Sequence, residues 1–204
     1  MRKLLIIIAL LFHVIIVVGE ESSNGVYDFN SSADEVEIAR LLSSGEISHE
    51  DSLRLVYKLN LLMKNPEGEK ATDFLFYKKD GSQNSLYDVK ADYVLMYFND
   101  PDCETCKALK QELIGSEVLN NMLECGKVKL LSVCVEGENE EWKKQQLPEL
   151  WIDACDKSMV IVDEDLYYLP SLPVLYLLDS SHHVIMKNTD VNEIEKYLKL
   201  SEIK

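Results

Sequence analysis

The feature that most restricts this chain is a short apolar run, Tyr93-Val94-Leu95-Met96-Tyr97-Phe98, that leads through Asn99-Asp100-Pro101-Asp102 straight into Cys103-Glu104-Thr105-Cys106. A continuous apolar run of this length reads as a strand buried on both faces, which needs a layer of structure above and below it. From Lys107 to about Cys125, residues Leu109, Leu113, Val118, Leu119 and Met122 recur at helical spacing. The two cysteines are therefore expected at the junction where a buried strand hands over to a helix.

Other segments fit the same layout. Phe74-Leu75-Phe76-Tyr77, a turn at Lys79-Asp80-Gly81-Ser82 and Ser85-Leu86-Tyr87-Asp88-Val89 read as a hairpin. Val128–Val135 reads as a second buried strand. Glu140–Trp151 reads as a helix interrupted at Pro148. Val174–Leu178 and His183–Met186 read as strands about a turn at Asp179-Ser180-Ser181, and Asp190–Leu200 as a closing helix. Upstream, residues 34–64 read as a helical hairpin: Val36, Ile38, Leu41 and Leu42 on a first helix, then Leu53, Val56, Tyr57, Leu59 and Leu62 on a second. Ser48-His49-Glu50-Asp51 caps that second helix and Asn65-Pro66-Glu67-Gly68 stops it. Strands alternating with helices give an α/β layout.

A lone C-x-x-C also occurs in zinc sites, but zinc takes about four ligands. No second C-x-x-C exists, and Cys125, Cys134 and Cys155 stand apart. What remains is a dithiol on the first turn of a helix, where free N–H groups and partial positive charge favour a thiolate. Cys103 is then the attacking thiol and Cys106 the resolving one, with an inert structural disulfide as the bland alternative. A peroxidase reading fails because Arg2, Arg40 and Arg54, the only arginines, fall outside this region. His182-His183, in a turn, invites a copper reading, which a ligand set this small does not support.

On these motifs the chain resembles the thioredoxin superfamily, and most nearly its TlpA/ResA-like envelope branch, over roughly residues 73–200. Asp80-Gly81 with Ser85-Leu86-Tyr87-Asp88-Val89 is similar to that branch's hairpin before the first core strand. Cys103-Glu104-Thr105-Cys106 stands at its redox motif, and Ser171-Leu172-Pro173-Val174-Leu175-Tyr176-Leu177-Leu178-Asp179 resembles its segment around a cis-proline. The resemblance implies a thioredoxin-like three-layer sandwich, a central mixed sheet flanked by helices, preceded by the small helical hairpin. It implies that Pro173 is cis and holds the Leu172 backbone open beside Cys103 for an extended substrate. It further implies protein or small-molecule thiol and disulfide substrates, an upstream dithiol electron donor, and neither a dissociable cofactor nor a metal. A helical N-terminal region of unknown function accompanies such domains in some small envelope proteins. The competing reading is a thioredoxin-fold binding protein of the cell envelope without catalysis.

Two positions depart from the branch: Asp102 replaces an aromatic residue and Thr105 a proline. Asp100, Asp102 and Glu104 place three carboxylates around Cys103. Negative charge there disfavours the thiolate and tunes the couple toward a reductant or exchange partner. The same acids also suit the capping of a helix N-terminus.

Composition sets the compartment and the partners. Met1-Arg2-Lys3 followed by apolar Leu4–Val18 reads as a secretory signal through Gly19, or failing cleavage an N-terminal anchor, being shorter than the roughly 20 apolar residues of a membrane span. The expected organisation is a signal or anchor at 1–19, a polar tether at 20–33, a helical region at 34–70 and a thioredoxin-like domain at 71–204. This places the body in the periplasm or cell envelope, where disulfides persist, touching membrane only through an uncleaved N-terminal segment. With 21 Lys+Arg against 36 Asp+Glu, a net charge of −15, the surface repels phosphate backbones, so no nucleic-acid partner is expected.

Overall fold

A computed structural model of the chain describes residues 35–45 and 47–201; the expected signal at 1–19 and tether at 20–33 lie outside the described residues. The chain divides into two units between Lys64 and Asn65. No helix among the described residues is long and apolar enough to cross a membrane.

The first unit contains helices α1 (Glu35–Ser44) and α2 (His49–Leu62). Ser48 caps α2 as its sequence suggests, its hydroxyl oxygen accepting from the Asp51 amide at 3.1 Å. The packed seam runs through Ile38, Leu55 and Leu59, with Leu41, Leu42, Ile47, Leu62 and Met63 around it. It is rotated from the expected stripe: Leu55 is buried where Leu53 is exposed.

The second unit is built on one mixed sheet of seven strands. In chain order these are β1 (Leu75–Tyr77), β2 (Gln83–Ser85), β3 (Tyr93–Asn99), β4 (Val128–Cys134), β5 (Trp151–Cys155), β6 (Val174–Asp179) and β7 (Val184–Lys187). Their order across the sheet is β2-β1-β5-β4-β3-β6-β7. The three central strands β5, β4 and β3 are parallel, with Tyr93 opposite Val128 and Leu130 opposite Trp151, while β6 runs antiparallel to β3. Helices α3 (Glu104–Gly115), α4 (Glu117–Glu124), α5 (Glu140–Lys144), α6 (Val160–Asp163) and α7 (Val191–Ser201) complete the unit.

Alternate residues of β3 point into two separate cores, which makes the architecture three-layered. Val94, Met96 and Phe98 join Leu131, Val133, Tyr167 and Tyr176 on one face. Leu95 and Tyr97 join Cys106, Leu113, Leu130, Ile194 and Leu198 on the other, under α3 and α7. This is the thioredoxin-like sandwich expected from the sequence.

Several boundaries differ from expectation for local reasons. The long helix after Cys106 breaks at Ser116, whose hydroxyl accepts the Leu119 amide at 3.1 Å and donates to Glu195 at 2.6 Å, so the chain restarts as α4. The second arm of the N-terminal hairpin ends at Ser85, because Ser85 N–H donates to the Asp88 carboxylate at 2.8 Å and Leu86–Asp88 turns as a 3-10 helix. The helix read over Glu140–Trp151 stops at Lys144, and Trp151–Cys155 is a strand. His182, read as an exposed turn residue, is buried at φ 67° with Nε2 2.9 Å from the Val89 carbonyl.

Candidate functional site

The site forms where β3 ends. Asn99 closes the strand by donating its amide to the Tyr97 carbonyl at 3.0 Å, the Ser132 hydroxyl at 3.0 Å and the Val133 carbonyl at 3.2 Å. That anchoring holds the strand end against β4 while the backbone turns away. The turn itself is local: the Asp100 carboxylate accepts the Asp102 amide at 3.0 Å, and Cys103 N–H reaches the Asp100 carbonyl at 3.2 Å.

Cys103 is the N-cap residue of α3, with extended backbone (φ −71°, ψ 124°). Its sulfur takes the place of a capping oxygen, accepting the Cys106 amide at 3.3 Å. The Thr105 hydroxyl lies 2.9 Å away. Cys103 is half-buried and Cys106 is buried, and no disulfide joins them in this structure. The Thr105 and Cys106 side chains, helped by backbone N–H groups, hold the Cys103 thiol below its ordinary pKa against the opposing effect of burial. Burial pushes the Cys106 thiol up to about 12, and the neighbouring Cys103 and Asp100 charges add to the rise. Of the two thiols, Cys103 therefore ionises first and Cys106 keeps its hydrogen. The Tyr97 hydroxyl fixes the deeper cysteine by donating to its carbonyl at 2.7 Å.

The loop facing this pair carries Leu172 and Pro173, joined by a cis peptide bond. The Thr105 hydroxyl reaches the Leu172 carbonyl at 3.4 Å, so this loop lies against the first turn of α3. Of the three carboxylates expected around Cys103, Glu104 pairs with Lys107 at 2.7 Å and Asp102 approaches the same lysine at 3.8 Å. The Asp100 carboxylate is committed to the turn, and its charge adds to the rise of the Cys106 thiol. The structure thus brings Cys103, Cys106 and the Leu172–Pro173 loop together through Thr105, which the sequence presented only as a missing proline. A hydroxyl two residues after a capping cysteine is the signal that would have marked it.

Among the described residues no cluster of His, Cys, Asp and Glu is arranged to hold a metal ion. What the arrangement can do chemically is exchange: a favoured thiolate at the surface, a protonated partner beneath it, and an adjacent backbone edge.

No family model matches the chain, and no curated protein does. Solved structures do. A thioredoxin-like protein from Bacteroides caccae is 31% identical with a TM-score of 0.77, over 85% of this chain; the chain spans 65% of the length of that protein. The C-terminal domain of an uncharacterized protein from Bacteroides fragilis is 34% identical with a TM-score of 0.64, over 66% of this chain and 98% of that one. The thioredoxin domain of a thiol-disulfide oxidoreductase from Bacteroides vulgatus shares the fold at 19% identity and a TM-score of 0.54, over 67% of this chain and 97% of that one. The chain shares the thioredoxin-like fold of these structures and is similar in sequence to one thioredoxin-like protein.

Proposed function

We propose that the chain is an exported thiol–disulfide oxidoreductase of the TlpA/ResA-like envelope branch, exchanging disulfides with envelope proteins or small thiols through Cys103 and Cys106. The observation that carries this reading is the opposite direction of the two thiols. Cys103, half-exposed at a helix N-terminus, is lowered, while Cys106, one turn on and buried, is raised to about 12. That asymmetry selects which sulfur attacks and which waits.

In the reducing direction the Cys103 thiolate attacks a substrate disulfide, forming a mixed disulfide and expelling one substrate thiolate. Cys106 then attacks Cys103, closing the Cys103–Cys106 disulfide and expelling the second substrate thiolate. The two protons lost by the cysteines end on the two substrate thiols. An upstream dithiol donor restores the reduced pair by the same exchange run on the new disulfide. Leu172 and Pro173 form the docking edge, where an extended substrate segment lies against the Leu172 backbone. When Cys103 is ionised, the Thr105 hydroxyl turns its hydrogen to the sulfur and leaves the Leu172 carbonyl to the substrate. The apolar N-terminal run supports export, and a signal or anchor there would place the domain in the periplasm or cell envelope.

The test is a trapping experiment with Cys106→Ser. Substrates are expected to accumulate as mixed disulfides on Cys103, and Cys103→Ser should abolish the adducts. No adducts, together with a blank insulin-type reduction assay, would instead make this a non-catalytic binding protein of the same fold.

A further inference from the structure

A second pair of thiols stands one strand away from the first. Cys134 and Cys155 are the last residues of β4 and β5 and lie directly opposite each other in the parallel register. Neighbouring strands are about 4.8 Å apart, so opposed positions place their Cα atoms inside the roughly 4.4–6.8 Å window in which a disulfide can close. Both side chains fall on the sheet face that carries α3, because Leu130 on β4 and Trp151 on β5 belong to the same core as Cys106. Both residues are fully buried, and no disulfide joins them in this structure.

The surroundings are built around this pair. Cys134, Cys155 and Trp142 form a small apolar cluster separate from the two main cores. The Cys134 sulfur contacts the Gly137 carbonyl at 3.5 Å. The Cys155 side chain beside Cys134 favours ionisation of Cys134, while Cys134 and burial oppose that of Cys155. Tyr77, Lys79, Trp142, Lys143 and Lys157 line a cavity of about 400 Å³ next to Cys155, which itself has no solvent exposure.

We propose that Cys134 and Cys155 are a second redox-active dithiol, closing to an internal cross-strand disulfide by exchange with a low-molecular-weight disulfide, which reaches the buried pair when the segment carrying Trp142, packed against it, opens locally. One thiolate of the pair attacks the incoming disulfide and expels the first small thiolate; the second attacks the mixed disulfide and expels the other. Two protein thiols become one disulfide, the small disulfide becomes two thiols, and the two thiol protons leave with them. The pair joins the end of β4 to the end of β5, across the segment that carries α5.

The experiment uses the full chain carrying Cys103→Ser and Cys106→Ser, so the result does not depend on the first site. The protein is equilibrated in mixtures of reduced and oxidised glutathione, quenched in acid, alkylated in denaturant, and analysed by intact mass and peptide mapping. The expected result is loss of two hydrogens with a peptide joining Cys134 to Cys155, and a higher thermal midpoint in the oxidised form. Cys125, which is exposed, reports in the same sample that the oxidant is competent. Adding Cys155→Ser should remove the cross-linked peptide, and Cys134→Ala should do the same should the first variant fold poorly. Full alkylation of both cysteines at every ratio, or glutathione adducts without closure, would overturn the proposal. A blank trapping experiment at Cys103 would leave it untouched.

Discussion

The Thr105 hydroxyl lies 2.9 Å from the Cys103 sulfur and 3.4 Å from the Leu172 carbonyl, so one side chain joins the exposed thiol to the loop that faces it. A proline at this position has no hydroxyl and could make neither contact. The hydroxyl is therefore the feature by which this chain favours its thiolate without the ring common in related motifs.

Removing that hydroxyl should move Cys103 in a known direction. Its thiol is lowered chiefly by the Thr105 hydrogen bond, and a bond to a charged acceptor is stronger than one to a neutral group. Thr105→Val should raise the Cys103 pKa, reduce the thiolate fraction at neutral pH and slow its alkylation by iodoacetamide. Thr105→Ser should restore most of the rate. Alkylation rate against pH measures both, and an unchanged profile in the valine variant would remove Thr105 from the site.

Cys106 makes the reduced protein sensitive to alkali. Its folded pKa of about 12 lies above the roughly 8.5 of an unfolded thiol, so between these values the folded state holds a proton that the unfolded state has lost. The stability this provides is intact below the unfolded value and is lost as pH rises toward the folded one. The slope is about 1.4 kcal/mol per pH unit between about 9 and 12. Buried Tyr97 and Tyr176, whose hydroxyls are also raised, contribute at higher pH. The difference between reduced wild type and Cys106→Ser in urea midpoint against pH isolates the cysteine, and the serine variant should show the shallower decline.

Asp153, at the centre of the interior strand β5, ties the sheet to the α5 segment and to the β1–β2 turn. Its carboxylate accepts Trp142 Nε1 at 2.8 Å and Gln145 Nε2 at 3.1 Å and pairs with Lys79 at 2.9 Å. The indole is almost wholly buried, so Asp153→Ala leaves a buried donor unpaired and should cost about 2 kcal/mol in urea unfolding. Asp153→Asn keeps an acceptor for the indole and should cost less. The half-exposed Lys79 contributes little to either figure.

These same residues explain which parts of the fold were legible beforehand. The strand at 93–98, the dithiol after it and the strand at 174–178 announced themselves because a strand covered on both faces must be apolar throughout. Strand β5 did not. It is five residues long with Asp153 at its centre, and that carboxylate is tolerated only because Trp142, Gln145 and Lys79 meet it, partners that no local pattern reveals. The break at Ser116 was hidden for a related reason. The periodicity of Leu113, Leu119 and Met122 continues across it, while the Glu195 contact that stabilises the break comes from α7. At the site, the roles of the two cysteines follow from a helix start, but the contact of Thr105 with Leu172 joins positions far apart in the chain. The pairing of Cys134 with Cys155 was equally invisible, since it depends on the register of a strand that the sequence did not announce.

The charges around Cys103 offer a last test, with two opposite signs. Asp102 and Glu104, both largely exposed, approach the partly exposed Lys107 at 3.8 Å and 2.7 Å. A thiolate beside a carboxylate is disfavoured and beside an ammonium favoured. Anything that favours the thiolate stabilises the reduced pair and makes the couple more oxidising. Asp102→Asn with Glu104→Gln should therefore raise the reduction potential of the Cys103–Cys106 couple, and Lys107→Met should lower it. Both shifts should be small and should shrink as salt rises from 0.01 M to 0.15 M, over which the screening length falls from about 30 Å to about 8 Å. Equilibration against glutathione, with the oxidised fraction read by alkylation, measures each. Equal potentials in all three proteins at low salt would show that hydrogen bonds from Thr105 and the helix N-terminus alone set the couple.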